Sequence, residues 1–135
     1  MMKLLIDTDV IIDYLIDRAP FAAYSERIIE ACIDGEAEGI LTANAATDIY
    51  YIVRKIIGRE KALQKLGVLL EVLDVASVGK NDLLRAMELD MTDFEDALAS
   101  VCAKRINADY IVTRNIKDYS KSSVAAITPK SFLAM

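Results

Sequence analysis

Short runs of consecutive apolar residues recur along the chain, separated by longer segments in which apolar residues return every three or four positions. The short runs predict strands buried in a parallel sheet, because such strands are covered on both faces and are apolar throughout. Each run is only three or four residues long, which suits a small sheet. The predicted strands are residues 4–6, 39–42, 72–75, 110–113 and 124–127.

The longer segments have the periodicity of amphipathic helices. Pro20 is expected to open the second helix, since proline fits the first helical turn, and Gly35 is expected to end it. Pro129 is expected to start a short terminal helix. Before this terminal helix, the predicted helices cover residues 10–15, 21–34, 44–57, 59–71, 80–89 and 93–106.

Strands that alternate with helices predict an α/β fold, with a mostly parallel sheet and helices on both faces. The chain has 135 residues, and no linker, repeat or low-complexity tract divides it. A single domain over residues 1–135 is therefore expected. Ligands of such sheets bind beyond the carboxyl ends of the strands, so the residues after each strand are the first candidates for function.

The composition narrows the chemistry. The chain contains no histidine, which excludes Ser-His-Asp and Cys-His nucleophiles and any imidazole zinc site. An enzyme of this composition must use carboxylates, hydroxyls, amines or a metal bound by oxygen. The net charge is −5, which is unusual for a protein that contacts phosphates. Two stretches are locally basic, and they contain Arg54, Lys55, Arg59, Lys61 and Lys65, then Lys104, Arg105, Arg114, Lys117 and Lys121.

The two cysteines and the amino-terminal residues indicate the cellular compartment of the protein. Cys32 and Cys102 lie in predicted helices without a C-x-x-C spacing, which indicates two reduced thiols in a cytoplasmic protein. The first apolar run reaches Asp7 after three residues. That is too short for a signal peptide or a membrane span, so no association with a membrane is expected.

Acidic and amide side chains follow the predicted strands in four separate segments. Because the carboxyl ends of parallel strands meet at one edge of the sheet, these segments are expected to bring their carboxylates together. The residues are Asp7, Asp9 and Asp13 in the first segment, Asn44 and Asp48 in the second, Asp93, Glu95 and Asp96 in the third, and Asn115 and Asp118 in the fourth.

A group of neighbouring carboxylates opposes folding, because like charges raise one another's pKa. A divalent cation is the usual compensation, and ligands that are all oxygen favour Mg²⁺ or Mn²⁺. A metal held in this way can activate a water molecule and bind a phosphate, which allows phosphodiester hydrolysis without histidine.

Some of these residues also fit structural roles. Asp9 and Asn44 suit helix N-caps, and Thr92 with Glu95 matches a capping box, so Glu95 is expected to be structural. Asp13 is expected to lie at the periphery, as an ordinary surface acid. Asp7 is least easily explained in this way, because a lone acid between a buried strand and an apolar helix is costly unless it is paired or metal-bound.

Four segments, in order and suitably spaced, resemble the PIN-domain nucleases, and the resemblance covers nearly the whole chain. The segments are residues 5–15, 40–51, 93–98 and 111–119. The resemblance implies a three-layer α/β/α sandwich and a metal-dependent endoribonuclease, as in the toxin of a toxin–antitoxin pair. It also implies an RNA substrate, an antitoxin partner and a homodimer, for which the apolar helices at 21–34 and 44–57 are candidate interfaces.

The resemblance also implies a set of site residues. Asp7, Asp48 and Asp96 fall on the first three family acids, and Asp48 stands where the family usually has Glu. Asn115 replaces the usual fourth Asp, and Asp118 is a candidate to supply the missing charge. The implied catalytic residues are Asp7, Asp48, Asp96 and Asp118. The implied metal ligands are these four residues together with Asp93 and Asn115. Thr113 is expected to orient a metal-bound water or a phosphate.

Two alternatives remain open at this stage. Asn115 removes one negative charge, so the chain is also consistent with a non-catalytic PIN-like module that binds RNA or protein through a weakened metal site. A phosphatase-like or response-regulator-like domain would share the acids at the strand ends. The regulator is disfavoured because Asp7 ends the first predicted strand, whereas a receiver domain has its aspartate at a central strand.

Overall fold

A computed structural model describes residues 1–135 and contains one sheet of five strands. The strands are all parallel and lie in the order β3-β2-β1-β4-β5, which confirms the predicted α/β fold. They are β1 (Met2–Ile6), β2 (Ala37–Thr42), β3 (Asp74–Ala76), β4 (Tyr110–Val112) and β5 (Ala126–Ile127).

Seven helices cover the two faces of the sheet and make the predicted three-layer α/β/α sandwich. One 3₁₀ turn, Ile116–Tyr119, follows β4 and has no counterpart among the predicted elements. The helices are α1 (Thr8–Leu15), α2 (Ala22–Ile33), α3 (Ala43–Ile57), α4 (Arg59–Val72), α5 (Lys80–Glu88), α6 (Phe94–Arg105) and α7 (Pro129–Leu133).

The side chains of β1 alternate between two hydrophobic cores, as the period of a strand requires. Leu4 and Ile6 pack in the larger core with residues of α1, α2, α3 and α4. Leu5 packs on the other face with Ile111 of β4 and Ala103 of α6. The central strand is therefore buried on both sides, which explains why its sequence is a continuous apolar run.

Several predicted boundaries are wrong by about two residues, among them the starts of β1, β2, β3 and β5. Pro20 precedes the second helix, because residues 18–21 form a hydrogen-bonded turn and α2 begins only at Ala22. The third strand begins at Asp74, since α4 continues to Val72. Gly35 does follow the end of α2, with a positive φ of 77° that favours glycine.

The pairing register decides which residues meet at the carboxyl edge of the sheet. Ile6 of β1 pairs with Val112 of β4, so the next residues along each strand, Asp7 and Thr113, lie side by side. Leu5 pairs with Ile40 of β2, which brings the end of β2 and the start of α3 to the same edge.

Two further features concern the cysteines and the helices. Cys32 and Cys102 are both free, and burial raises the pKa of the Cys32 thiol to about 11. None of the helices is both long enough and apolar enough to span a membrane. The cytoplasmic location inferred from the sequence stays a prediction.

Candidate active site

Asp7 is held at the junction between β1 and α1. Its backbone N–H donates to Val112 O at 2.9 Å, which continues the pairing of β1 with β4. Its carboxylate accepts hydrogen bonds from the Thr8 N–H at 2.8 Å and from the Thr113 hydroxyl at 2.9 Å. Burial raises the pKa of Asp7 in spite of these bonds, so the folded chain holds a carboxylate that is costly to ionise without a compensating charge.

Asp96 meets Asp7 across the side chain of Tyr119. Asp96 lies in the first turn of α6, and its Oδ1 accepts a hydrogen bond from the Tyr119 hydroxyl at 3.1 Å. Burial, followed by the charges of Asp7 and Asp93, raises the pKa of Asp96 to about 6. Two segments that are far apart in sequence are thus brought together at one buried hydroxyl.

Tyr119 is a site residue that the sequence did not reveal. It is 3% exposed, and burial together with the charges of Asp7 and Asp96 raises its pKa, so its hydroxyl stays protonated and donates. The 3₁₀ turn places Tyr119 inward and leaves its neighbour Asp118 exposed. The available signal was a large aromatic residue directly after a candidate acid.

Asp48 lies in α3 beside Glu95 of α6. Burial raises the pKa of Glu95, and the charge of Asp48 and a hydrogen bond with it raise that pKa further. The expected capping box is wrong, because α6 is capped by Asp93, whose side chain accepts from the Asp96 N–H at 3.0 Å. Glu95 is therefore free to face the acidic cluster instead of closing its own helix.

Asp9 and Asn115 form a second contact between the same elements. The Asn115 side-chain amide donates to Asp9 Oδ2 at 3.1 Å, and its backbone N–H donates to the Thr113 hydroxyl at 3.1 Å. The expected N-cap role of Asp9 is wrong, since Asp7 caps α1 and Asp9 lies in the first turn. Burial, then the charge of Asp7, raises the pKa of Asp9 to about 6.

Asp118 and Asp93 lie at the exposed rim of the cluster. Both line a cleft of about 300 Å³ together with Asp96, Lys117 and Lys121. The charges of Asp93 and Asp118 contribute to the raised pKa of Asp96. Asp118 is therefore exposed, and its negative charge affects the cluster by raising the pKa of Asp96.

A small cavity of about 50 Å³ lies inside the cluster and is lined by Asp7, Asn44, Glu95 and Asp96. The Asn44 side-chain oxygen is buried and accepts no hydrogen bond. The expected N-cap role of Asn44 is wrong, because Thr42 occupies the N-cap position of α3 and Asn44 lies in its first turn. A buried polar atom without a partner costs free energy unless a ligand or water completes its contacts.

The cavity fits a hard cation in the chemistry of its donors. Its polar side chains offer carboxylate, hydroxyl and amide oxygens, the ligands that Mg²⁺ and Mn²⁺ prefer, and burial makes its carboxylates costly to ionise alone. No three acidic or thiol side chains are arranged so that they could hold one ion by themselves. An ion at this position would thus be bound by few protein ligands and would keep several waters, as Mg²⁺ commonly does.

Asp13 is not the surface acid that the sequence suggested. Its side chain is completely buried, and its carboxylate lies 2.8 Å from Arg114 Nε and 3.7 Å from Arg18 Nε. On α1, Asp13 contacts Arg114, a partner from a distant segment that the helical pattern of the sequence does not reveal. Asp13 joins α1 to the turn after β4.

The basic residues near the site have unequal roles. Lys117 and Lys121 line the cleft beside Asp96, although Lys121 is paired with Asp90 at 2.6 Å. Arg105 binds Asp82 at 3.0 Å, so it joins α5 to α6 instead of contributing to the site. The positive charge beside the cluster is therefore smaller than the sequence indicated.

In the absence of metal, the protein is expected to lose stability as the pH rises from about 4 to 7 through the titration of Asp9 and Asp96. Their folded pKa values lie near 6, above the ordinary value of 3.8. The folded chain therefore holds protons that the unfolded chain has already released, and their stabilising contribution disappears as the pH passes 6. Melting temperatures of wild type and Asp96→Asn, measured in EDTA across this range, check the effect.

Between these pH values the melting temperature of Asp96→Asn should fall by less than that of wild type, because the variant lacks one of the two titrating carboxylates. Glu30→Gln, at an exposed position of α2, is the control and should follow wild type. Parallel curves for all three proteins would contradict the assigned shift.

A sequence profile of the PIN domain matches residues 3–117. The chain is 26% identical to Ribonuclease VapC1 of Aquifex aeolicus over 135 residues, an alignment that covers 96% of this chain and 92% of the relative. The family match includes Asp7, Asp48, Asp96 and Asn115, and the alignment with the relative extends over almost the full length of both proteins.

Two solved structures share the fold. VapBC2 of Rickettsia felis, bound to a DNA fragment from its promoter, superposes with a TM-score of 0.74 at 19% identity and covers 94% of this chain and 98% of the other. VapC20 of Mycobacterium tuberculosis, described as a toxin that cleaves the sarcin-ricin loop, gives 0.65 at 11% identity, with coverage of 80% and 86%.

Proposed function

The chain belongs to the PIN-domain family, and on that premise we propose that it is a Mg²⁺- or Mn²⁺-dependent endoribonuclease. It hydrolyses RNA phosphodiester bonds and acts as the toxin of a toxin–antitoxin pair. The observation that carries the proposal is the pair of carboxylates, Asp7 and Asp96, that line one small cavity at the carboxyl edge of the sheet. The ribonuclease relative supports RNA as the substrate.

Asp7 and Asp96 would hold the metal with the Asn44 side-chain oxygen, Glu95 would contribute from the wall of the cavity, and Asp48 would contribute from its position beside Glu95. Asp93, Asn115 and Asp118 lie around this position as further candidate ligands, directly or through water. When bound, the ion would activate a water and stabilise the negative charge of the phosphate undergoing attack.

The other residues of the site hold these carboxylates in place. Thr113 directs its hydroxyl at Asp7 Oδ2, and the Asn115 N–H in turn donates to that hydroxyl. Tyr119 keeps its proton and donates to Asp96 Oδ1. These bonds position the two acids before a ligand arrives, which lowers the cost of organising the site when the substrate binds.

The test is a metal titration followed by cleavage of a labelled RNA. Cleavage is expected in Mg²⁺ or Mn²⁺, should stop in EDTA and should return when Mn²⁺ is added back. A protein that binds RNA but neither binds Mn²⁺ at millimolar concentration nor cleaves would instead be the non-catalytic PIN-like module.

An antitoxin partner is proposed for the groove between α2 and α4. The Rickettsia relative was solved as a VapBC complex, and the groove of this chain has a volume of about 640 Å³. Ile33 and Val68 line it and are each 59% exposed. Exposed apolar side chains in one groove are typical of a protein–protein contact, and an apolar antitoxin segment would cover them.

Val68→Lys is expected to weaken the binding of the protein encoded by the adjacent reading frame, because a charge would be buried at the contact. Leu63→Lys is the matched control, since Leu63 is exposed on the same helix but does not line the groove. Co-purification and titration calorimetry measure the effect. If both variants weaken binding of the partner equally, or if neither weakens it, the partner binds elsewhere.

A homodimer also remains a prediction, and helix α3 is its best-supported interface. Tyr51, Ile52 and Ile56 are exposed on this helix, by 53%, 42% and 56%. Sedimentation equilibrium should give a dimer for wild type and a monomer for Ile52→Glu. A monomeric wild type would refute the prediction.

A further inference from the structure

A separate pocket of about 400 Å³ opens between the start of α2 and the start of α7. Its volume lies in the range of small-ligand sites, roughly 300–1,000 Å³. The turn after β4 forms one wall, so the pocket lies beside the carboxyl end of the sheet. The side chains that define its chemistry are Phe21, Tyr24, Ser25, Arg114, Thr128 and Lys130.

The lining differs in charge from the rest of the molecule. No acidic residue lines the pocket, although the chain has a net charge of −5. Arg114 and Lys130 supply two cations, and Phe21 and Tyr24 supply two aromatic rings. Aromatic rings with cations beside them are the combination that binds single-stranded nucleic acid, since bases stack on the rings and phosphates contact the cations.

The buried hydroxyl of Ser25 in this pocket lacks a partner. Ser25 is 1% exposed, and its hydroxyl makes no hydrogen bond within the protein. A buried hydroxyl without a partner is unfavourable, and a ligand that reaches it would recover the lost hydrogen bond. This feature distinguishes the pocket from an ordinary surface depression.

The walls of the pocket are held in place before any ligand binds. The Arg114 guanidinium lies 4.1 Å from the centre of the Phe21 ring, and Arg114 is anchored by buried Asp13. Lys130 is exposed and takes part in none of the ion pairs of the structure. Its ammonium group is thus available to a phosphate.

Arg114 connects the pocket to the acidic cluster. Its Nε lies 4.0 Å from Asp9 Oδ2, and Asp9 lies in the first turn of α1, directly after the N-cap Asp7 and Thr8. We propose that the pocket binds one nucleotide of the single-stranded RNA next to the scissile phosphate, with its base against Tyr24 and its phosphate at Lys130. This inference rests on the proposed ribonuclease function.

The first experiment titrates the wild-type protein with AMP, adenosine and inorganic phosphate, and follows backbone amide shifts by NMR. AMP cannot be cleaved by an endonuclease, so this measurement does not depend on activity. AMP should shift the amides of Tyr24, Ser25 and Lys130. It should bind more tightly than adenosine or phosphate alone, because its base contacts Tyr24 and its phosphate contacts Lys130.

Variants test the phosphate contact and the base-stacking contact separately. Lys130→Glu should weaken AMP binding about tenfold, as expected for one phosphate contact with its charge reversed, and Lys130→Arg should restore it. Tyr24→Leu should also weaken binding about tenfold, within the usual range for loss of base stacking, whereas Tyr24→Phe retains the ring and should bind like wild type.

Lys80→Glu is the control, because Lys80 follows β3 and Lys130 follows β5, at opposite edges of the sheet. In RNA cleavage, Lys130→Glu should raise KM while leaving kcat within about twofold, since it removes binding and not chemistry. Lys80→Glu should change neither AMP binding nor KM by a comparable factor.

The outcomes distinguish this inference from the proposed function. If AMP binds at these residues but wild type cleaves no RNA, the pocket stands and the ribonuclease assignment fails. If RNA is cleaved but AMP shifts none of these amides, or Lys130→Glu and Lys80→Glu behave alike, the pocket does not bind a nucleotide. A shift produced equally by phosphate alone would reduce the pocket to an anion contact and would overturn the proposal.

Discussion

Replacing Asp7 with Asn is expected to lower RNA cleavage by at least about a hundredfold while leaving the fold intact. Loss of residues that only support metal ligands typically costs roughly 10–100-fold, and Asp7 is proposed as a ligand itself. Asn can still cap α1, because its side-chain oxygen accepts the Thr8 N–H as Asp does. Initial rates with a labelled RNA in Mn²⁺, and the melting temperature of each protein, measure the two effects.

The melting temperature adds an independent expectation. Burial raises the pKa of Asp7, so removing its charge should leave the metal-free protein as stable as wild type or more stable at neutral pH. Asp74→Asn is the control, since Asp74 is exposed at the start of β3. An Asp7→Asn protein that cleaves at the rate of this control would remove Asp7 from the mechanism.

Replacing Asp13 with Ala is expected to destabilise the protein by about 3 kcal/mol, near the lower end of the range for breaking a buried ion pair. The variant leaves Arg114 partly buried without the carboxylate that lies 2.8 Å from its Nε. The lower end applies because the Arg114 side chain is 25% exposed, so water can partly solvate it. Urea unfolding, followed by circular dichroism, measures the free energy of unfolding.

A second variant separates loss of the pair from loss of packing. Asp13→Ala combined with Arg114→Met removes both charges and should recover part of the stability, because no unpaired charge remains. Glu30→Ala, at an exposed position of α2, should change stability by less than about 0.5 kcal/mol. A double variant less stable than Asp13→Ala would show that the pair does not explain the effect.

This result would revise the role inferred for Asp13 from its place in the sequence. The sequence indicated a peripheral acid on the surface. Because its partner Arg114 follows Thr113, which donates to Asp7, loss of Asp13 is also expected to disturb the site indirectly. Whether Asp13→Ala changes cleavage by more than its loss of folded protein can be measured in the same assay.

The alternation of apolar runs and helical periods determined the fold class, because each pattern reflects which faces of an element are buried. The order of the elements also implied that the acids after β1 and at the start of α6 would meet at one sheet edge. The structure brings Asp7 and Asp96 together there, in the lining of one cavity. Element ends were less predictable: the strand after α4 begins two residues late because local propensity does not decide where a helix stops.

The roles of individual polar residues depended on tertiary contacts. Glu95 and Asp9 match cap positions in sequence, yet Asp93 and Asp7 cap those helices, and only the packed structure decides which of two nearby acids reaches the free N–H groups. The sequence indicated an exposed Asp13, but the structure buries it against Arg114, which lies in a turn about a hundred residues away.

The sequence by itself determined the sheet, its helical layers and the acidic character of its carboxyl edge, because these follow from hydrophobic periodicity and from residues adjacent to strands. Only the tertiary structure decided that Tyr119 points inward, that Asn44 faces the cavity without a partner, and that Phe21, Arg114 and Lys130 surround one pocket. These depend on contacts between distant segments, whose geometry is set by the pairing register of β1 with β4 and by the packing of α2 against α7.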